Sequence, residues 1–102
     1  MSANASPVIY RRRKQQGMIV LCGSIDVFEA LSLHEHAKKA LDDKESNSIC
    51  VDLSHVERLD TSAMQILLAL NRDCEVAHKQ ITYKRPATNL LERAAEYGIL
   101  LA

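Results

Sequence analysis

The residues best suited to chemistry follow one apolar run, at Asp60, Thr61 and Ser62. Their types and spacing predict the start of a helix, with the Ser62 hydroxyl near the positive end of the helix dipole. By local chemistry alone, Ser62 and Gln65 form the pattern of a capping box, and Asp60 or Thr61 could be the cap instead. Open α/β sheets also place their sites at the ends of central strands. The stretch is therefore either a plain helix cap or a functional hydroxyl.

Catalysis would require groups that support this hydroxyl. His55 could be imagined as a base for Ser62, but no third residue is placed to orient it, and we interpret it as a turn histidine. The three glycines are never clustered, so the chain matches neither the phosphate-binding loop nor the dinucleotide-binding fingerprint. The sequence thus predicts a protein that is not an enzyme, with nucleotide binding at the strand edge as an alternative.

Cys74 and His78 lie four residues apart on a predicted helix and could together contact one metal ion. Two ligands are too few for a stable zinc site. The chain has three cysteines, and an odd number in apolar surroundings is typical of reduced, buried thiols rather than a disulfide framework. We therefore expect no metal and no cofactor.

Size and charge limit the range of functions. A chain of 102 residues and 11.4 kDa is long enough for one domain with a single core. Thirteen basic residues balance thirteen acidic ones, whereas nucleic acid or an anionic membrane would attract a surplus of Lys and Arg. These features favour a specific protein partner over nucleic acid.

The N-terminus and the hydropathy of the chain lack the features of an exported or membrane-inserted protein. The first seven residues are small and polar and do not resemble a signal peptide. No run of 18 apolar residues occurs that could insert into a membrane. The sequence predicts a cytoplasmic protein and leaves its oligomeric state open.

The elements that must position Ser62 can be read from apolar periodicity. Strands and helices alternate, which predicts an α/β fold with a mixed, mostly parallel sheet of four or five strands and about three helices packed against it. A flexible tail at 1–7 precedes a single domain at 8–102. The predicted strands are 8–10, 18–22, 49–53, 80–83 and 99–101, and the predicted helices are 27–42, 60–77 and 87–97.

Three stretches in register resemble the STAS domain of anti-sigma factor antagonists. The resemblance covers residues 8–101, and that family has the same order of strands and helices. It implies a STAS-like α/β domain in which the turn after the second strand lies close to the start of the second helix. The stretches are Gly23-Ser24-Ile25-Asp26, Val51-Asp52-Leu53-Ser54 and Leu59-Asp60-Thr61-Ser62.

The resemblance also implies a function. In that family a D-S-S-G-like stretch opens the second helix, and its second hydroxyl residue is phosphorylated by a partner serine kinase. This implies phosphorylation of Ser62, with Thr61 as the less favoured site. The chain would then bind an anti-sigma factor with serine-kinase activity by partner switching, and a serine phosphatase would restore the unmodified form.

The partner-binding surface implied by the resemblance surrounds Ser62. The chain departs from the family at Ala63, where Gly is common, and at Met64-Gln65. STAS domains also occur as small subunits of lipid-transport ABC complexes and as accessory proteins of bacterial chemotaxis, in which Ser62 would only cap the helix. The implied docking residues are Ser24, Asp26, Asp60, Thr61, Ser62, Ala63 and Gln65.

Overall fold

The computed structural model describes residues 8–98, over which strands and helices alternate as the periodicity predicts. The predicted tail at 1–7 and strand at 99–101 lie outside the described residues. The strands are β1 (Val8–Arg13), β2 (Gln16–Ile25), β3 (Ser48–Leu59) and β4 (Gln80–Lys84), and the helices are α1 (Val27–Asp42), α2 (Thr61–Val76) and α3 (Thr88–Glu96).

The four strands form one sheet in the order β1-β2-β3-β4. β1 is antiparallel to β2, and the pairs β2–β3 and β3–β4 are parallel. The two parallel connections run through α1 and α2 and move across the sheet in the same direction, so right-handed crossovers place both helices on one face. The predicted fold class, a mostly parallel sheet with three helices, is confirmed.

The core lies between this face of the sheet and the helices. The strand side chains that point to it are fully buried, among them Ile19, Leu21, Ile49 and Val51, each 0% exposed. Full burial of one such side chain contributes about 1.5–3 kcal/mol relative to exposure. Each helix packs a stripe of buried side chains against this face of the sheet. The stripes are Ala30, Leu33, Ala37 and Ala40 of α1 and Ala63, Met64, Leu67, Leu70 and Cys74 of α2.

β3 is longer than its apolar run predicts. Two bulges interrupt its pairing with β2, one between Val20 and Cys22 and one between Gly23 and Ser24 of β2. At each bulge β3 contributes one more residue than β2, which bends the strand and increases its twist. The strand thereby continues to the helix start without the intervening turn that the sequence predicts.

Ile49–Leu53 of β3 is buried without a break, and beyond it the buried residues recur every third position. Leu53, Val56 and Leu59 are buried, and the pairs between them are exposed. Side chains return to the same face every two residues in a regular strand and every 3.6 residues in a helix. A period of three fits neither, and for that reason the sequence predicts a turn between residues 53 and 60. The predicted strand end at Leu53 is therefore wrong, and so is the interpretation of His55 as a turn histidine, because His55 lies on β3.

Asp52 marks the point where the first bulge begins. It is only 9% exposed, and its Oδ1 accepts hydrogen bonds from the Ser54 backbone N–H at 3.0 Å and the Ser54 hydroxyl at 2.6 Å. Burial by itself raises the pKa of the Asp52 carboxyl, but the two hydrogen bonds from Ser54, together with the nearby Lys84 and His55 side chains, outweigh it and the pKa is lowered. The carboxylate thus stabilises the bulge in its charged form.

No helix in the described part of the chain has both the length and the apolar character required to cross a bilayer.

We expect Asp52→Ala to lower the free energy of unfolding by about 1–3 kcal/mol, because the Ser54 N–H and hydroxyl lose their acceptor. Since the folded-state pKa of Asp52 is lowered, the wild-type advantage is fully present above about pH 4 and shrinks as the pH falls through the folded-state pKa. Urea denaturation at pH 7 and pH 3 measures both effects. An Asp52→Asn variant keeps an acceptor oxygen and should lose less stability, and an equal loss for Asp52→Ala at both pH values would contradict the assignment.

Candidate functional site

The starts of α1 and α2 lie side by side at the carboxyl edge of the sheet. β2 and β3 pair up to their final residues, Ile25 with Leu59. One residue later, the Asp60 backbone N–H donates a hydrogen bond to the Ile25 carbonyl at 2.9 Å. Asp26 and Asp60, which follow the two strands directly, are thereby brought to the same edge. This is the proximity that the resemblance implied for the two turns.

Asp26 caps α1. Its Oδ1 accepts hydrogen bonds from the backbone N–H groups of Phe28 at 2.9 Å and Glu29 at 3.3 Å. A hydrogen bond with the Glu29 side chain is the main cause that lowers the pKa of Asp26, and the same contact raises the pKa of Glu29. The Asp26 carboxylate is therefore charged and directed at its own helix.

Asp60 caps α2 through a single backbone N–H. Its Oδ1 accepts from the Thr61 N–H at 2.6 Å, and its carbonyl accepts from the Met64 N–H at 3.0 Å. Of the three cap alternatives left open by the sequence, Asp60 is the one that the structure uses, and the Ser62 capping box is wrong. Ser62 is instead the second residue of the helix. Its hydroxyl is not needed to begin α2.

The two neighbouring hydroxyls have different surroundings. The exposed Thr61 hydroxyl lies 3.1 Å from the Tyr97 hydroxyl and accepts a hydrogen bond from Arg93 Nη2 at 3.3 Å. It therefore joins the start of α2 to α3. The Ser62 hydroxyl is half-buried and has no hydrogen-bond partner among residues 8–98. Of the two, Ser62 is the hydroxyl that no structural contact occupies.

A cavity of about 270 Å³ opens between the two helix starts. Arg58 belongs to it and was missed by the sequence reasoning, which placed that residue in a turn. Arg58 pairs with Ser24 in the parallel register of β2 and β3. If the pairing of β2 with β3 had been extended in the prediction up to the starts of α1 and α2, it would have placed Arg58 beside Ser24. The cavity is lined by Ser24, Ile25, Asp26, Arg58 and Asp60.

The predicted docking residues differ in what they offer to a partner. Ala63 is 0% exposed and its side chain packs in the core, so it presents no surface. Its methyl group explains why Gly is not required there: the side chain has a place in the core. The other six reach the surface: Ser24, Asp26, Thr61 and Gln65 are exposed, and Asp60 and Ser62 are half-buried.

The remaining chemical candidates lie away from this edge. Cys74 is buried, which raises the pKa of its thiol to about 11 and keeps it protonated at neutral pH. Cys22, Cys50 and Cys74 are all free thiols, and Cys22 is half-buried rather than buried as predicted. Over residues 8–98 no group of three or more His, Cys, Asp or Glu side chains is arranged to hold a metal ion.

Comparison with known families gives one match that spans most of the chain. A family model described as "Mlab, STAS domain" matches residues 8–100. Comparison with curated proteins finds no significant match.

Solved structures give several matches to the same fold. The anti-sigma factor antagonist SpoIIAA in its unphosphorylated form is similar with a TM-score of 0.77 at 14% identity, over 93% of this chain and 86% of that one. The phosphorylated form of SpoIIAA, a Bacillus cell fate determinant, gives 0.76 at 14% identity, over 89% and 83%. An anti-sigma factor antagonist from Mycobacterium paratuberculosis gives 0.70 at 20% identity, over 88% and 77%. At these identities the likeness concerns the fold.

We expect Asp60→Ala to lower the free energy of unfolding by about 1 kcal/mol, because the Thr61 N–H at the start of α2 loses its acceptor. For a domain of this size the melting temperature should fall by about 4–8 °C. Asp60→Asn provides the matched control, since Asn caps helices as well as Asp does. Thermal denaturation followed by circular dichroism measures both variants. A wild-type melting temperature for Asp60→Ala would show that the cap contributes nothing.

Proposed function

The chain belongs to the STAS domain family, and on that premise we propose that it is an anti-sigma factor antagonist. In this proposal it is a binding module that docks onto a serine-kinase anti-sigma factor through the edge where α1 and α2 begin. The observation that carries the proposal is the hydrogen bond from Asp60 to Ile25, which holds the two turns together beside Ser62. The similar SpoIIAA is described as an anti-sigma factor antagonist and in both unphosphorylated and phosphorylated forms.

Phosphorylation of Ser62 is the proposed switch. The partner kinase transfers the γ-phosphoryl group of ATP to the Ser62 hydroxyl, which then carries about −1.5 to −2 charges at neutral pH. The absence of any hydrogen-bond partner for this hydroxyl within residues 8–98 supports the choice of Ser62 over Thr61. Modification of Ser62 would break no contact that joins the helices.

The fold is expected to tolerate the phosphate. Ser62 lies in the first turn of α2, where unpaired N–H groups and the positive end of the helix dipole favour an anion. The start of α2 and the ends of β2 and β3 are fixed by contacts that do not involve Ser62, namely the Asp60 cap and the pairing of Ile25 with Leu59. The switch therefore acts on the surface and leaves the core intact.

Binding is expected to change because the docking edge becomes strongly negative. The carboxylates of Asp26 and Asp60 already line the cavity beside the helix starts. A phosphate added there repels acidic groups of the partner, and it costs desolvation energy against an apolar surface. A partner matched to the unmodified hydroxyl would dissociate, and a serine phosphatase would restore binding.

The proposal assigns the chain no catalytic activity, no cofactor and a cytoplasmic site of action. The cavity contains two carboxylates already used as helix caps and one guanidinium, and lacks a nucleophile with an oriented base. Such a set can recognise a partner but supplies no reaction step.

A second candidate function is that of a permanent docking subunit without a phosphate switch, as in the STAS subunit of a lipid-transport ABC complex. The half-buried position of Ser62 favours it, because a kinase must reach the hydroxyl. The same edge would then bind its partner in one state only.

The first test identifies the partner and the modification together. The full chain is purified from its own cells on an affinity tag, and mass spectrometry identifies both the bound proteins and any phosphate on residues 58–72. We expect a serine-kinase anti-sigma factor bound to the unmodified chain and phosphate on Ser62. An ABC ATPase as the bound protein, with no phosphate, would contradict the proposal and support the second candidate.

The second test measures the switch directly. We expect Ser62→Asp to weaken binding to the purified kinase by at least about tenfold, which corresponds to about 1.4 kcal/mol. Ser62→Ala is the matched control and should bind as the wild type does, since the hydroxyl has no partner in the fold. Both variants should melt within about 2 °C of the wild type. Equal affinity for Ser62→Asp and wild type, by isothermal titration calorimetry, would exclude the switch.

A further inference from the structure

Three large apolar side chains are exposed on the first turns of α1. Val27, Phe28 and Leu31 are 53%, 80% and 69% exposed, respectively. Leu31 lies four residues after Val27 and three after Phe28, and side chains at these spacings are neighbours on a helix. They form one continuous surface, named here the α1 patch. A continuous exposed apolar surface is typical of an interaction site, whereas a single exposed apolar residue is ordinary.

Phe28 is the most unusual member of the α1 patch. It is the only phenylalanine in the chain, yet it is the most exposed of the large apolar side chains in the described part of the structure. Burial of an aromatic side chain is among the larger contributions available to a small core. This fold leaves that contribution unused, and a partner that covers Phe28 would gain it.

The α1 patch is held in a fixed position beside the candidate site. The Phe28 backbone N–H donates to the Asp26 carboxylate, and Asp26 lines the cavity between the two helix starts. The patch and the cavity thus lie next to each other and share the start of α1. Binding to this surface would cost little conformational entropy apart from the side chains themselves.

Arg58 is the one basic side chain among the residues that line this cavity. The Asp26 and Asp60 carboxylates accept hydrogen bonds from the starts of α1 and α2. The Arg58 guanidinium is exposed at the same cavity and forms no ion pair within residues 8–98. Arg58 is therefore a guanidinium without an ion-pair partner in the described residues, and the group on a partner that complements it is a carboxylate.

We propose that the α1 patch and Arg58 together bind a protein surface that offers an apolar pocket to Phe28 and an acidic side chain to Arg58. The inference rests on the proposed function, because it names the chemistry of that same partner. It also gives the switch a physical target: a phosphate on Ser62 would repel the partner carboxylate from Arg58 and raise the cost of desolvating the surface around Phe28.

The experiment compares two side chains of equal exposure. Phe28→Ala removes the centre of the α1 patch, and Val76→Ala is the matched control, since Val76 is 79% exposed at the other end of α2. The probe is the purified anti-sigma factor kinase identified by co-purification, titrated into the unmodified full chain by calorimetry. We expect Phe28→Ala to raise Kd by at least about 30-fold, as for an interface hot spot. Val76→Ala should change Kd by less than about twofold.

A second pair of variants tests the charge. Arg58→Glu should raise Kd by at least about tenfold, because it places like charges opposite each other. Arg11→Glu, a reversal at an exposed arginine of β1 with no ion pair among the described residues, is the control and should have a much smaller effect. Raising the salt concentration should weaken wild-type binding and strengthen that of Arg58→Glu. Phe28→Leu should recover most of the affinity that Phe28→Ala loses.

The outcomes separate this inference from the proposed function. Equal Kd values for wild type, Phe28→Ala and Arg58→Glu would overturn the inference and leave the proposed function intact. A wild-type chain that binds no anti-sigma factor kinase would overturn both. Sedimentation of a wild-type dimer that Phe28→Ala dissociates, or Phe28-dependent binding to phospholipid vesicles, would assign the α1 patch to a second copy or to a membrane and overturn the inference. Melting temperatures of all variants confirm that each one is folded.

Discussion

The parallel pairing of β2 with β3, carried to the last residue of each strand, is the constraint on which the surface of this protein depends. Ile25 lies beside Leu59, and the Asp60 N–H closes the pair by donating to the Ile25 carbonyl. If either strand ended two residues earlier, the helices would begin at different heights. The cavity, both caps and the exposed start of α1 all follow from this one register.

Two helix starts at one edge also concentrate positive dipole ends, and the chain balances them locally. Asp26 and Asp60 each place a carboxylate on their own helix, which stabilises the helix and offsets the dipole. Both carboxylates also line the cavity, and Arg58 adds the one basic side chain of that lining.

The sequence predicted what is local and missed what depends on pairing. The predicted bounds of α1, 27–42, follow from its apolar stripe, and the structure agrees with them. The second half of β3 was not predictable from a period of two or 3.6, because its bulges impose a period of three on Leu53, Val56 and Leu59. Because that half of the strand was not predicted, Arg58 was not recognised as part of the site. The contact of Thr61 with Tyr97 joins residues 36 positions apart, which no local pattern records.

The exposed start of α1 was missed for a different reason. Val27, Phe28 and Leu31 fit an apolar helix, and a periodicity argument assigns such residues to the core. Burial is decided by where the strands direct the helix, and here the inward stripe begins with Ala30 and Leu33. A chain with one phenylalanine could have been expected to bury it.

The bulges of β3 also affect the tendency of the protein to aggregate. β4 pairs only with Ser48–Asp52, so within residues 8–98 no strand covers the outer edge of Leu53–Leu59. A straight, bare edge of that length would invite pairing with other chains. Bulged strands bend and twist away from the flat geometry that such pairing requires. The irregularity that aligns the two helix starts therefore also discourages aggregation through the same strand.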